Sequence, residues 1–198
     1  MPDLPNLDDW LERLIPAVRA NSHRLLELGC GAGLDAGALA AAGFDVVAFD
    51  RSAERLSAAN EAVPTATFLR VTLDGPLPFR DATFDLAVAS LSLHYLPWAS
   101  TLAAFAEVRR VLRQGGWLAF RVNATDDTNF GAGKGVELEP GYFLVADPTS
   151  SEPRKRFFDE AAVRACLAEG FAIVAIQHGW ISRWGKPKRV WECLARAR

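Results

Sequence analysis

The chain is poor in several things, and each shortage narrows what it can be. It holds three cysteines, Cys30, Cys166 and Cys193, far apart in 198 residues. That number and spacing exclude a disulfide scaffold and a thiolate metal knuckle, and each cysteine reads as a small buried hydrophobe in a reducing compartment. Histidines are equally few, at three, and none has ligand spacing. No apolar run approaches the roughly 20 residues of a membrane span. The beginning, Met-Pro-Asp-Leu-Pro-Asn-Leu-Asp-Asp, is acidic and lacks a signal-peptide core, so a cytoplasmic location is expected. The net charge of −2 gives no overall attraction to nucleic acid or to a membrane surface. There is no internal repeat and no low-complexity tract. What remains is an ordinary globular composition, half hydrophobic, with the length of one domain spanning 1–198.

The chemistry concentrates between Leu25 and Gly33, Leu-Leu-Glu-Leu-Gly-Cys-Gly-Ala-Gly. Leu25, Leu26 and Leu28 form the short apolar run of a buried parallel strand. Gly29, Gly31 and Gly33 follow at alternate positions, with Cys30 between the first two. Glycines there admit positive φ and let backbone amides approach a ligand, and a helix from Leu34 to Ala42 aims its N-terminal amides at the same place. A dinucleotide fingerprint would put its third glycine at position 34, which is Leu34. Glu27, two residues ahead of the first glycine, would repel a pyrophosphate and attract a ligand carrying an ammonium and a sulfonium. The motif suits a cationic nucleoside without phosphate.

Glu27-Leu-Gly-Cys-Gly-Ala-Gly33 resembles motif I of the class I S-adenosylmethionine-dependent methyltransferases. The likeness extends from Trp10 to the end of the chain. Asn123…Asn129-Phe-Gly, Arg156-Phe-Phe and Trp184-Gly-Lys-Pro-Lys…Val-Trp-Glu are similar to a bacterial branch near the tellurite-resistance and thiopurine-type enzymes. The resemblance implies a Rossmann-like, doubly wound α/β fold: seven strands with the last antiparallel, between two helix layers. It implies S-adenosylmethionine as cofactor and S-adenosylhomocysteine as product.

The rest of the chain fits such a frame. A helix with Asp8 as cap spans about Asp8 to Arg19, with Pro16 a kink or break, and 1–22 form an N-terminal helical cap. A second strand, Phe44 to Phe49, ends at Asp50, whose two carboxylate oxygens match the vicinal hydroxyls of a ribose. Ser52 is an alternative cap for the next helix, Ser52 to Ala62. A third strand, Ala66 to Val71, leads into the loop containing Leu73 and Asp74. In the family this loop covers the adenine, with Leu73 against the ring and Asp74 accepting from its amine; an Asp-Gly turn is the plainer reading of Asp74. The cofactor set is completed by Arg51 and by Ser90, at the end of the strand Phe84 to Ser90. After Ser90 the chain should face the methyl group, and it lacks the Asn/Asp-Pro-Pro-Tyr/Phe of amino-group methylation on bases. Thr101 to Arg113 reads as a helix ended by Gly115-Gly116, before the strand Trp117 to Val122.

Residues 124–158 read as an irregular insert on the substrate side, with Pro140 and Pro148; its Gly131-Ala-Gly-Lys-Gly135 lacks the spacing of a phosphate loop. A helix capped by Asp159 follows. Phe171 to Gln177 and Lys188 to Ala195 are the last strands, paired through a turn around Gly185-Lys-Pro187. From Gly179 on, six Lys or Arg face one Glu192, a charge run read as a solvated face rather than a nucleic-acid patch.

In-line methyl transfer asks the protein mainly for alignment. A protonated acceptor also needs a base. His94, with an ordinary pKa near neutrality, is the first candidate and Tyr95 the second; a packing role for His94 is equally open. His23 and His178 read as structural. Trp10, Asn123, Phe130, Arg156 and Trp180 are expected on the acceptor side. The expected partner is a small, partly apolar acceptor, with no membrane, no metal and no nucleic acid, in a monomer or weak homodimer. Other readings are a non-catalytic S-adenosylmethionine-binding regulator, an RNA or protein methyltransferase, and a nicotinamide dehydrogenase.

Overall fold

The computed structural model describes residues 4–145 and 152–198. Pro148, and the rest of 146–151 in the expected insert, lie outside these, as do residues 1–3 of the expected N-terminal cap. Among the described residues, no helix is long and apolar enough to cross a membrane.

The chain runs α1 (Trp10–Val18), β1 (Arg24–Leu28), α2 (Leu34–Ala41), β2 (Asp45–Asp50), α3 (Ala53–Ala62), β3 (Thr67–Arg70), β4 (Phe84–Ser90), α4 (Trp98–Val111), β5 (Leu112–Asn123), β6 (Val136–Glu139), β7 (Tyr142–Leu144), β8 (Arg154–Arg156), α5 (Glu160–Leu167), β9 (Phe171–Arg183) and β10 (Lys186–Ala197). Seven of these strands make one sheet in the order β3-β2-β1-β4-β5-β10-β9. The first five are parallel, and β10 is antiparallel to both β5 and β9. The expected Rossmann-like fold with its antiparallel last strand is therefore present.

The strand sequences explain the layers. Side chains alternate across a pleated strand. Leu25, Val46, Ala48, Leu86, Val88 and Ala119 pack on α1, α2 and α3 through Leu14, Val18, Leu39 and Leu56. Their neighbours Leu26, Val47, Phe49, Ala87, Ala89, Leu118 and Phe120 meet α4 and α5 through Phe105, Val108, Val163 and Leu167. Both faces are apolar because both are covered. The chain passes from β1 outward to β3 and returns to β4 on the other side of β1. That reversal opens a crevice beyond the carboxyl ends of β1 and β4.

Several expectations are corrected by tertiary contacts. Asp8 does not cap α1; its carboxylate accepts from Ser182 N at 2.8 Å, and Asp9 holds the cap position without a side-chain bond. Pro16 lies inside α1 and does not break it. Gly115-Gly116 do not end α4, which stops at Val111. Leu112 is already captured opposite Phe84 of β4, and the two glycines fall in the register shift before Trp117 pairs with Leu86. Strand β9 continues past Gln177 to Arg183 because β10 pairs with it along its whole length. Gly179 sits there because any Cβ would fall 2.6 Å from Leu7 Cδ1 and from Pro5 O. The segment before α1 crosses β9 at that point, with Leu7 N donating to Trp180 O at 2.8 Å and Trp180 N to Pro5 O at 3.0 Å.

The insert is also more regular than expected. β6, β7 and β8 form a small antiparallel sheet. Its strands have three or four residues and one of them is Arg-Lys-Arg, so no period of two is visible. Arg156 holds this sheet in place: it pairs with Glu139, donates to Leu96 O and Pro140 O, and lies over the Trp98 and Tyr142 rings. A buried pair joins the insert to the main sheet. Lys188 Nζ on β10 donates to Asp127 Oδ2 at 2.6 Å, Arg189 N donates to Asp127 Oδ1 at 3.0 Å, and both Lys188 and Asp127 are buried.

Removing one partner of such a pair strands the other charge in the interior. Asp127→Ala should lower unfolding free energy by about 3 to 5 kcal/mol, read as a fall in the denaturant midpoint. Asp127→Leu combined with Lys188→Met should recover most of that loss; a double variant no better than the single one would show that the pair contributes through its backbone bonds instead.

Candidate cofactor and acceptor site

The crevice is built first by the turn leaving β1. Gly29, Gly31 and Gly33 have φ of 70°, 56° and 81°. Gly29 N and Cys30 N both donate to Phe49 O of β2, at 2.8 and 3.0 Å. The glycines divide the work. A Cβ on Gly29 would lie 2.5 Å from Ser92 Cβ, so this glycine admits the segment after β4. A Cβ on Gly31 would meet nothing within 4 Å, so this glycine opens onto the crevice. Ser92 seals the back of the turn, its hydroxyl donating to Leu28 O at 2.6 Å. Leu91 turns the chain there with φ of 57°, a strained value for a non-glycine residue next to a site.

Asp50 closes the loop from the other side. Its Oδ2 accepts from Gly31 N and its Oδ1 from Ser52 N, both at 2.9 Å. Ser52 caps α3, accepting from Arg55 N at 3.3 Å, so Asp50 is spared that task. Each Asp50 oxygen keeps a second lone-pair site for a hydroxyl donor.

Glu27 is 3% exposed, and its Oε2 has no hydrogen-bond partner. Burial, and then the nearby charges of Asp35 and Asp50, push its pKa up to about 8. Asp35, in the first turn of α2, was not among the candidate residues. Burial raises its pKa, while Arg121, the Ser90 hydroxyl and Arg183 pull it back. Its signal was hidden because an acidic residue in a helix's first turn is expected for helix-dipole reasons alone. Three carboxylates thus converge on the glycine turn, and among the described residues no cation offsets Glu27. The thiol of Cys30 is driven up to about 12, chiefly by burial, and is not a nucleophile at neutral pH.

Beyond Ser90 lie His94 and Tyr95, their ring centroids 4.2 Å apart. His94 is 2% exposed and its Nδ1 is unpartnered. Burial first, then the charges of Lys188, Lys155 and Arg183, hold its pKa well below the ordinary 6.5. This corrects the expectation of a base tuned near neutrality: the imidazole is neutral but resists a proton. Burial also raises the Tyr95 phenol.

The remaining candidates are dispersed. Leu73 is half-buried against the core and Asp74 is exposed, on the loop fastened to α4 by Arg110 through Leu77 O and Phe79 O. Arg51 pairs with Glu152 at 2.8 Å and so joins the exit of β2 to the insert. Trp10 is buried beneath Arg121, whose guanidinium carbon lies 4.5 Å from the ring centroid, so it belongs to the core. Arg156 is committed to holding the insert, and Trp180 Nε1 donates to Leu4 O at 3.1 Å. Asn123 is fully buried at the end of β5; its Nδ2 donates to Arg156 O while Oδ1 has no partner. Phe130 packs between Lys188 and Trp184. The structure therefore gathers Glu27, the glycines, Asp50 and Ser90, sets His94 and Tyr95 beyond them, and gives Trp10, Arg156 and Trp180 structural work.

Residues 26–120 match the methyltransferase domain family. This segment is similar to a methyltransferase domain. An uncharacterised methyltransferase of Mycobacterium tuberculosis is 34% identical over 123 residues, which cover 62% of this chain and 46% of that protein. A malonyl-acyl-carrier-protein O-methyltransferase of Erwinia billingiae is 37% identical over 111 residues, covering 56% and 43%. The chain thus spans under half the length of these curated relatives. In fold, an S-adenosylmethionine-dependent methyltransferase from Methanosarcina mazei superposes with a TM-score of 0.80 at 22% identity, over 93% of this chain and 96% of that one.

A carboxyl with a pKa of about 8 is mostly protonated at pH 7. A cationic guest favours its charged form, so binding S-adenosylmethionine should expel up to about one proton. Calorimetry at pH 7 in buffers of different ionisation enthalpy should read that release, and Glu27→Gln should abolish it. Affinity should rise from pH 6 to 8 and then level; a flat profile contradicts the assignment. The folded-state value is raised, so the same group's stabilisation is full below the unfolded value of 4.5 and is lost as pH climbs through about 8.

Proposed function

We propose that this chain transfers a methyl group from S-adenosylmethionine to a small-molecule acceptor. The observation that carries the reading is Glu27, a buried carboxyl group with an unpartnered oxygen and, among the described residues, no neighbouring cation, beside a glycine open to the crevice. A sulfonium and an ammonium supply the missing charge; a pyrophosphate would bring further negative charge to a turn already lined by three carboxyl groups. When bound, the cofactor supplies an already activated methyl group.

The chain's own residues then have limited tasks. The Gly31 opening and Glu27 hold the cofactor's charged part, and Asp50 accepts from its ribose while keeping its grip on Gly31 N. Asp35 and Ser90 line the passage toward the acceptor. His94 braces the Tyr95 ring and stays neutral, so the acceptor must arrive with its nucleophilic atom unprotonated or lose a proton to water. Arg156 and the Lys188–Asp127 pair keep the insert in position beside the crevice.

A small acceptor is favoured over a polynucleotide by the state of the basic C-terminal stretch. Lys188 is neutralised by Asp127, and Arg196 lies 3.5 Å from the Trp117 ring centroid and donates to Gly115 O. These two charges are spent inside the fold and are withdrawn from any track along a phosphate backbone.

Incubating the full chain with methyl-labelled S-adenosylmethionine and a bacterial extract separated by size tests the reading. Label should enter the fraction below about 1 kDa, within the range of pocket-bound ligands. Label confined to RNA or protein, or no turnover beyond a heat-treated control, would overturn it.

A further inference from the structure

Strands β9 and β10 are joined by a two-residue turn, with Arg183 paired to Lys186 across it. The turn residues are Trp184, with φ of 48°, and Gly185, with φ of 72°. Asn-Gly is the usual occupant of such a turn; a tryptophan in the left-handed region is strained. Trp184 is also 76% exposed. A strained backbone that presents a large ring to water gains nothing for the fold.

The ring belongs to a row in which two aromatics lie between two cations. The Arg183 guanidinium lies 4.9 Å from the Trp184 centroid, the Phe130 and Trp184 centroids are 5.9 Å apart, and Lys188 Nζ is 4.5 Å from the Phe130 centroid. Lys188 is neutralised by Asp127. Among the described residues no carboxylate pairs with Arg183. The tip is held in place: Asn129 Nδ2 donates to Pro187 O at 2.8 Å, and Ser182 N donates to Asp8 Oδ1 at 2.8 Å. β10 meets the last residue of β5 at Val190–Asn123, so the hairpin before it, with Arg183 opposite Lys186, projects past the carboxyl ends of the parallel strands, on the side of the crevice. The Arg183 charge is also felt at Asp35, His94 and Tyr95.

The crevice is therefore bipolar, with three carboxylates on one wall and an unpaired guanidinium backed by an indole on the other. We propose that the acceptor is a planar or aromatic carboxylate, its anionic group bound by Arg183 and its ring lying against Trp184 and Phe130. Guanidinium and carboxylate match in shape as well as charge, and a stacked guanidinium is already oriented. A carboxylate oxygen also needs no proton removed, which suits a site whose imidazole and phenol are poor bases. A lone pair not engaged by Arg183 would form the O–CH3 bond as the methyl–sulfur bond breaks and its electron pair stays on the sulfur of S-adenosylhomocysteine. The proposal rests on the methyltransferase reading above.

The test uses the full chain saturated with S-adenosylhomocysteine and titrated by calorimetry with benzoate and trans-cinnamate, then with benzamide, cinnamamide and benzylamine. The carboxylates should bind saturably and at least tenfold more tightly than the amides, with benzylamine weakest. Arg183→Gln should cost at least tenfold in carboxylate affinity and leave S-adenosylhomocysteine affinity unchanged. Arg183→Lys should recover part of the loss, and Arg183→Glu should invert the preference toward benzylamine. Arg183 is exposed, so circular dichroism should show these variants folded. Equal binding of carboxylates and amides, no saturable carboxylate binding below millimolar levels, or indifference to Arg183→Gln would overturn the proposal, and the exposed tip would then be a macromolecular contact. Failure of S-adenosylhomocysteine itself to bind would instead remove the methyltransferase reading.

Discussion

Repulsion among carboxylates, held at close quarters by a glycine turn, is the constraint from which the rest of this site follows. Glu27 is fixed at the end of β1 by pairing on both sides, with Ala48 and with Val88, and cannot withdraw. Asp50 is fixed by two backbone amides and Asp35 by the first turn of α2. Burial makes Glu27 and Asp35 more basic than in water; Arg121 and Arg183 partly relieve Asp35, while among the described residues no cation relieves Glu27. The fold tolerates this by letting Glu27 keep its proton near neutrality. Such an arrangement costs stability in the absence of a ligand. It is also prepared for a positively charged one, which restores the ionised form and gains a desolvated counter-charge in the same step.

The two ends of the crevice are organised by different means. The cofactor end is made of backbone: glycine amides, strand termini and a helix start, all set by the parallel sheet. The proposed acceptor end is made of side chains carried on the insert and on the β9–β10 hairpin. These are tied down by the Lys188–Asp127 pair, by Arg156 and by the segment before α1 lying on β9. A sheet end that binds one nucleoside can thus be combined with an acceptor wall that changes without disturbing it.

Most of the frame was legible in the sequence because it rests on local signals. The apolar runs of β1, β2 and β4, the glycine turn, and the acidic residue closing β2 all declare themselves over a few residues. What was not legible depended on partners distant in sequence. The end of α4 is decided by β4 capturing Leu112, which no property of Gly115-Gly116 announces. The insert's strands are too short to show a period, and Arg156, which resembles a substrate ligand, proves to be the fastener that holds them. His94 was read by its ordinary pKa; burial among three cations changes its chemistry, and burial is a tertiary fact. Asp35 was missed for the opposite reason. An acidic helix start has an innocuous local explanation, and only charge summed across the crevice sets it apart.

Carboxyl groups placed as those of Glu27, Asp35 and Asp50 favour a cationic nucleoside over a phosphorylated one. Calorimetric titration of the purified chain with S-adenosylhomocysteine and, separately, with NADH tests that choice most directly. Saturable, one-to-one binding of S-adenosylhomocysteine with no heat from NADH at millimolar concentration is the predicted result. Binding of NADH by a chain that ignores S-adenosylhomocysteine would contradict it.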